Sequence, residues 1–293
     1  SLIYLAFPYV FYRAVAGHFY FLFSNAIFPY IIAQSLILFS TPKLVDTYKR
    51  AIWVSLLIFI MGFQIQFFVF AALFLGIIFL ISRQNIWCRL INSSIIAVVS
   101  ILLSLPWTLP LALKTSSASV FEGALAIDFV VSQSSVTSID NILFGLGSPA
   151  IYFLDTINSY SIFLRLLYFF ALSFIALLAL YNFILIRKID KDREYNIADA
   201  FKLVLPAVLL LSLFMGKGVN PPFGDFNRYL YQNYPIFGLF REIYHIIYLT
   251  VFIISLFAGF GLNNALKNRD RVLAESSKLV SILSLIILIL PFF

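Results

Sequence analysis

The sequence predicts an all-α, polytopic membrane protein, on three observations. Hydrophobic residues make up 62% of the 293 positions and charged residues only 11%, whereas ordinary soluble domains carry roughly 25% charged residues. The mean hydropathy is +1.00. The apolar residues also fall in long runs, and a spanning helix needs about 20 of them. A soluble core of this size could not bury so much apolar surface, so most of it must face lipid.

These runs predict about nine spanning or partly spanning helices in a single transmembrane domain covering residues 1–293. The chain opens and closes inside apolar runs. We therefore expect a piece of a longer polypeptide, with the first and last helices incomplete. The predicted helices lie at 1–12, 19–39, 51–63, 65–82, 90–111, 161–186, 201–216, 241–264 and 279–293.

Basic residues predict the orientation of the bundle. Fourteen of the 20 lysines and arginines lie in four connections, near 40–50, 83–90, 187–202 and 265–278. By the positive-inside rule these connections face the cytoplasm of a multi-pass protein of the cell membrane. The loops at 112–160 and 217–240 then lie outside. The net charge of +7 reflects this orientation, so no nucleic-acid partner is expected; the surrounding partners are membrane lipids.

The run 51–82 has two possible interpretations. It is either one long tilted helix or two short helices joined by a turn near Gly62 and Gln66. Because both flanking connections are basic, the chain must cross the membrane an even number of times between them. The charge pattern therefore favours two short helices.

The connection 112–160 is the one long external loop. It carries acidic residues among Ser, Thr and Gly, and its apolar pieces, Ala124 to Val131 and Ile142 to Leu154, could lie along the interface as short helices. A loop of this length is usually either functional or poorly ordered. We expect it to help shape a functional site.

The stretch from Lys217 to Asp225 is the main interruption of the apolar pattern. Pro221 and Pro222 cannot continue a helix, and the glycines tolerate unusual backbone angles. We expect a compact turn at the membrane surface, followed by a helix that re-enters lipid. Charge near a helix start is costly unless it faces protein, water or a bound polar group. The sequence therefore predicts that a polar ligand is held at this end.

Five basic side chains are candidates for binding that ligand. Arg241 and His245 are one helical turn apart and share a face. Arg suits phosphate because its planar fork donates two parallel hydrogen bonds, and His can donate to an anion or move a proton. The ordinary alternative is that each Arg anchors a helix end at headgroups and each His satisfies a carbonyl. The substrate-binding candidates on the predicted outer side are Arg13, His18, Lys217, Arg241 and His245.

Several chemistries are excluded or disfavoured. With only two histidines and the single cysteine Cys88, the chain offers no multi-histidine or cysteine-rich metal site and no internal disulfide. Its sequence contains no Walker-type phosphate loop, GxSxG elbow, HExxH or GxGxxG motif. We expect no cofactor and assign no metal site, and the sequence leaves open whether a divalent metal is needed. The lack of acidic residues deep in the predicted helices weakens an ion-coupled carrier.

Two stretches resemble the large polytopic GT-C-type glycosyltransferases, closest to arabinofuranosyltransferase-like membrane proteins and their archaeal relatives. The first contains Phe7-Pro8-Tyr9, Arg13, Gly17-His18 and Asn25-Ala26-Ile27-Phe28-Pro29. The second contains Gly218-Val219-Asn220-Pro221-Pro222-Phe223-Gly224, Pro235 and Phe240-Arg241-Glu242. Both occur in the family's order.

The resemblance implies a membrane glycosyltransferase core that uses a polyprenyl-phosphate-linked sugar on the non-cytoplasmic face, with a glycan or lipid as acceptor. It implies that Arg13, His18 and Arg241 bind the phosphate, with His245 and Lys217 as further candidates. The family's catalytic carboxylate lies in the first external loop, which we expect to precede this chain. Two alternatives stay open: a transporter or flippase for lipid-linked or polar cargo, and a non-catalytic membrane scaffold subunit.

Overall fold

The computed structural model describes residues 19–41, 47–62, 65–115, 196–234, 237, 240 and 244–267, together with positions 128, 130–132, 134, 137–139 and 142. All the secondary-structure elements within these residues are helices, which confirms the predicted all-α class. The seven helices are α1 (Phe19–Ser40), α2 (Tyr48–Met61), α3 (Ile65–Ile81), α4 (Ile86–Thr115), α5 (Ile197–Gly216), α6 (Gly224–Asn233) and α7 (Tyr244–Lys267).

Six of these helices fall on six of the predicted segments, and the boundaries differ by a few residues. α5 begins four residues earlier than predicted because the side chain of Asn196 accepts a hydrogen bond from the backbone N–H of Ala198, at 2.9 Å, and so caps the helix. α4 ends at Thr115, which corrects the predicted start of the loop at 112. Apolar residues up to Leu113 continue its helical pattern.

The run 51–82 forms two helices, as the charge pattern predicted. α2 ends at Met61, and the backbone N–H of Gly62 closes it by bonding to the carbonyls of Ile58 and Phe59. α3 starts at Ile65 and returns through the bundle. The turn between them brings the chain back to the side on which α2 began.

Among the described residues, four helices are long and apolar enough to cross a membrane: Phe19–Ser40, Ile86–Pro106, Ile197–Gly216 and His245–Asn263. A shorter apolar helix spans Gln66–Ile81. The expected count of about nine is not confirmed. The predicted segments 1–12, 161–186 and 279–293 lie outside the described residues, as does most of the loop 112–160.

α7 is the central helix of the described bundle. Its candidate span is 78% buried, whereas that of α4 is 17% buried. An aromatic cluster joins α7 to α1 and α3: the ring centroids of Phe28 and Phe252 are 4.9 Å apart, and those of Phe67 and Tyr248 are 4.4 Å apart. Such pairs add to the burial of apolar area. The core therefore lies where these three helices meet.

The described bundle has two chemically different ends. At one end, which we call the basic end, Arg50 donates to Gln34 Oε1 at 2.7 Å, Arg89 donates to the Phe79 carbonyl at 2.8 Å, and Lys202 pairs with Asp199 at 2.7 Å. The opposite end, which we call the loop end, carries the turn after α5. This separation agrees with the grouping of basic connections predicted from the sequence.

Candidate functional site

The turn from Lys217 to Phe223 connects α5 to the short helix α6. Gly218 and Phe223 both have a positive φ, 60° and 62°, and the Pro221–Pro222 peptide bond is cis. A Cβ atom on Gly224 would lie 2.1 Å from the carbonyl oxygen of Val219. Only glycine can therefore occupy position 224 while the turn keeps this shape.

A buried asparagine holds the turn from inside. Asn227 is fully buried, and its Nδ2 donates to the carbonyl of Phe214 at 2.8 Å and to that of Gly218 at 2.7 Å. These carbonyls lie at the end of α5, where the last turn of a helix lacks backbone donors. Asn227 thus ties α6 to the end of α5.

Lys217 is buried within the same turn, with 1% of its surface exposed. Its Nζ donates to the carbonyl of Asn220 at 2.5 Å and lies 5.2 Å from the ring centroid of Phe214. Burial lowers the pKa of the Lys217 ammonium from its ordinary value, because desolvation penalises the charged form. Because only 1% of its surface is exposed, this ammonium can contact a ligand directly only if the turn moves.

The turn docks onto the segment around Ser134. The backbone N–H of Val219 donates to Ser134 Oγ at 3.0 Å, and Asn220 Nδ2 donates to the carbonyls of Ser134 at 2.6 Å and Thr137 at 3.1 Å. The two segments predicted to be external loops therefore meet at the same end of the bundle.

Tyr231 extends this contact from α6. It packs against Val130, and its hydroxyl donates to the carbonyl of Phe240 at 3.2 Å. Burial raises the pKa of Tyr231 above its ordinary value, so the phenol stays a neutral donor. The stretch from 217 to 240 is thus held by its own side chains and by the segment around Ser134.

His245 lies at the start of α7 and is buried against α1. It is 6% exposed, and its ring stacks on Phe21 with centroids 5.6 Å apart. One helical turn further, the Tyr248 hydroxyl donates to the carbonyl of Asn25 at 3.3 Å. These contacts join the two regions of sequence that carry the family resemblance.

Gly216, the last residue of α5, lies against the start of α7. A Cβ on Gly216 would lie 3.7 Å from Ile246 and 3.4 Å from Ile142. The end of α5 therefore packs directly against the start of α7. Of the five predicted ligand residues, Lys217 and His245 lie at the loop end, whereas Arg13, His18 and Arg241 lie outside the described residues.

Several residues that shape this end were not singled out as site candidates from the sequence. They are the polar groups buried between elements: Asn25, Ser134, Asn227 and Tyr248. A polar residue next to an apolar run signals a buried contact, because its polar atoms need partners away from water. The part of the chain that the structure describes holds no group of three or more His, Cys, Asp or Glu placed to bind a metal ion.

The fold and composition place the chain in the class of helical membrane proteins. Comparison with protein-family models, with curated proteins and with solved structures gave no match.

Proposed function

We propose that the loop end binds the phosphate of a polyprenyl-phosphate-linked sugar, and that the chain forms the membrane core of a GT-C-type glycosyltransferase. In this proposal the loop end faces the non-cytoplasmic side of the cell membrane, and the sugar is transferred to a glycan or lipid acceptor.

The observation that supports it is the contact between α1 and α7, the helices that begin within or just after the two resembling stretches. Tyr248 bonds to the Asn25 carbonyl, and His245 stacks on Phe21, although the paired residues are more than 200 positions apart in sequence. His18 immediately precedes α1, and Arg241 precedes α7 by three residues. Because these contacts lie near the first turns of both helices, α1 and α7 start at the same end of the bundle.

The proposed chemistry needs two kinds of group. A carboxylate takes the proton of the acceptor hydroxyl as that oxygen attacks C1 of the sugar. The bond from C1 to the phosphate oxygen breaks, and cations stabilise the negative charge that grows on the departing phosphate. Arg13, His18 and Arg241 supply the cationic contacts in this proposal, which assigns the carboxylate to no residue of this sequence.

His245 and Lys217 have different parts in the proposal. His245 stacks on Phe21 of α1 and so fixes the start of α7, which follows Arg241 in the sequence by three residues. Lys217 braces the turn through the Asn220 carbonyl and adds positive potential nearby. Because Lys217 is buried, the proposal leaves direct contact with the phosphate to Arg13, His18 and Arg241.

Binding of a short phosphate-bearing lipid tests the proposal. Farnesyl phosphate is titrated onto the purified full-length protein in detergent, with farnesol as the probe that lacks the phosphate. We expect Arg13→Ala and Arg241→Ala each to weaken farnesyl phosphate binding by at least about tenfold. In proteoliposomes, both variants should lose transfer from a polyprenyl-phosphate-linked sugar.

Arg228→Ala is the matched control, because Arg228 is an exposed residue of α6. It should bind and transfer like the wild type. Unchanged farnesyl phosphate binding by both test variants would refute the phosphate site. Movement of the intact sugar lipid across the bilayer, without cleavage of the sugar–phosphate bond, would instead identify a flippase. Absence of both binding and movement in the wild type would favour a scaffold subunit.

A further inference from the structure

A long apolar groove opens between α3 and α4 and extends to the basic end of the bundle. These two helices are consecutive in the chain and are joined by the turn 82–85, yet they enclose a cavity of about 440 Å³. Its lining runs from Phe68 to Phe79 on α3 and from Leu90 to Ile101 on α4, with Ile58 of α2 between them. From its first to its last lining residue each wall advances by eleven residues, which corresponds to a length of about 16 Å.

The walls of this groove suit a hydrocarbon chain. Apart from Ser93 and Ser100, the lining residues are apolar. Ser100 already donates its hydroxyl to the carbonyl of Ser55, at 3.4 Å. Gly76 stands in the α3 wall, and a Cβ there would meet no atom within 4 Å. The groove is therefore open at Gly76. Its mostly apolar walls offer an occupant little to hydrogen-bond with.

The length of the groove, about 16 Å, fits an extended acyl chain. An extended acyl chain is much thinner than a helix and can lie along the groove.

A cation lies where the groove reaches the basic end. Arg89 is adjacent in sequence to the lining residue Leu90 and donates through Nη1 to the carbonyl of another lining residue, Phe79, at 2.8 Å. Its guanidinium carbon is 5.2 Å from the Phe79 ring centroid. Its Nε is buried and makes no hydrogen bond to a residue that the structure describes. Among the described residues the one ion pair joins Lys202 to Asp199, so none of the described acidic side chains pairs with Arg89.

We propose that this groove binds one acyl chain of a phospholipid from the bilayer, with the lipid phosphate bound by Arg89. The apolar walls alone would give little preference over the surrounding lipid, because lipid tails are as apolar as the side chains they would displace. The phosphate supplies that preference, since an Arg–phosphate contact is charge-assisted and can be bidentate. The site lies at the opposite end of the bundle from the proposed sugar-lipid site and does not depend on it.

Native mass spectrometry of the full-length protein tests this proposal. Phosphatidylglycerol is added after delipidation, and diacylglycerol with the same acyl chains is the probe without a phosphate. The wild type should retain one phosphatidylglycerol. Gly76→Phe, which fills the groove, and Arg89→Gln, which removes the cation, should each lower its affinity by at least about tenfold. Diacylglycerol should bind the wild type no better than it binds Arg89→Gln.

Gly259→Phe on α7 is the matched control, because a Cβ at Gly259 also meets nothing within 4 Å and lies outside the groove lining. It should retain the lipid like the wild type. Full retention by Gly76→Phe would overturn the groove as the site, and equal binding of diacylglycerol would overturn the role of Arg89.

A second measurement tests the groove even if the Gly76→Phe variant does not fold. A photoreactive phenylalanine replacing Ala72 in the α3 wall should be crosslinked to added phosphatidylglycerol. Crosslinking to a protein segment instead would show that another helix occupies the groove and would overturn the proposal.

Discussion

The hydroxyl of Tyr248 donates to the carbonyl oxygen of Asn25 at 3.3 Å, in the buried contact between α7 and α1. Pro29 lies four residues after Asn25 inside α1. Because proline has no backbone N–H, it cannot supply the helical hydrogen bond that the Asn25 carbonyl would otherwise accept. A side chain from the central helix thus donates to a carbonyl that receives no hydrogen bond from the backbone of residue 29.

Tyr248→Phe should therefore destabilise the fold. The substitution keeps the aromatic packing and leaves a buried carbonyl without this donor, which costs about 1–3 kcal/mol. The free energy of unfolding, measured by SDS titration in mixed micelles, checks this. Tyr30→Phe is the matched control, because Tyr30 lies on α1 and is 47% exposed. An equal effect of the two substitutions would contradict the explanation.

The same contact predicts that the effects of Tyr248→Phe and Pro29→Ala on the free energy of unfolding do not add. Alanine at position 29 restores the backbone N–H that can bond to the Asn25 carbonyl. The cost of Tyr248→Phe should then shrink by about 1 kcal/mol in the Pro29→Ala background, since contacting residues couple on this scale. A double-mutant cycle on the unfolding free energy measures the coupling. Strict additivity would mean that the hydroxyl acts on something other than this carbonyl.

Gly224→Ala should disrupt the turn after α5. Its Cβ would approach the Val219 carbonyl oxygen to 2.1 Å, so the backbone must move, and overpacking of this kind costs about 1–3 kcal/mol or more. Gly259→Ala has open space for its Cβ and should be neutral or stabilising by up to about 1 kcal/mol, from helix propensity. Thermal unfolding of both variants compares them directly; similar melting temperatures would argue against the turn geometry.

Asn227→Asp should separate α6 from the end of α5. The change removes both N–H donors and places a carboxylate against the carbonyls of Phe214 and Gly218, at a cost of at least about 3 kcal/mol. Asn233→Asp is the control on the same helix, because Asn233 also donates to a carbonyl, that of Tyr229 at 2.8 Å, at an exposed position. Protease cleavage within 217–240 should rise for the first variant alone.

Lys217 predicts a pH dependence of stability. Burial lowers its pKa in the folded state from the ordinary 10.5. Between the lowered value and 10.5 the unfolded chain binds more protons than the folded chain, so stability rises with pH in that window. Lys217→Met should reduce this rise, whereas Lys49→Met, at an exposed position, should keep it. Unfolding free energies from pH 7 to 10.5 measure the difference. An unchanged slope in Lys217→Met would contradict the assigned burial.

Composition and local chemistry were enough to predict the helices and much of their order. Apolar run length placed six of the described helices, and the basic flanks of 51–82 predicted the hairpin of α2 and α3. Pro221, Pro222 and the neighbouring glycines predicted the turn after α5. These features are local, because they depend on backbone angles, on helix length and on the cost of placing charge in lipid.

Pairing between helices depended on the tertiary structure. α1 and α3 are apolar on nearly every side, and a helix that is hydrophobic all round gives no periodic signal of which face packs inward. Nothing in the pattern near Tyr248 indicated the Asn25 carbonyl as its partner. The pattern near Lys217 also did not indicate that its ammonium would be buried against the Asn220 carbonyl. Such contacts join residues far apart in the chain, so only the packed bundle could decide them.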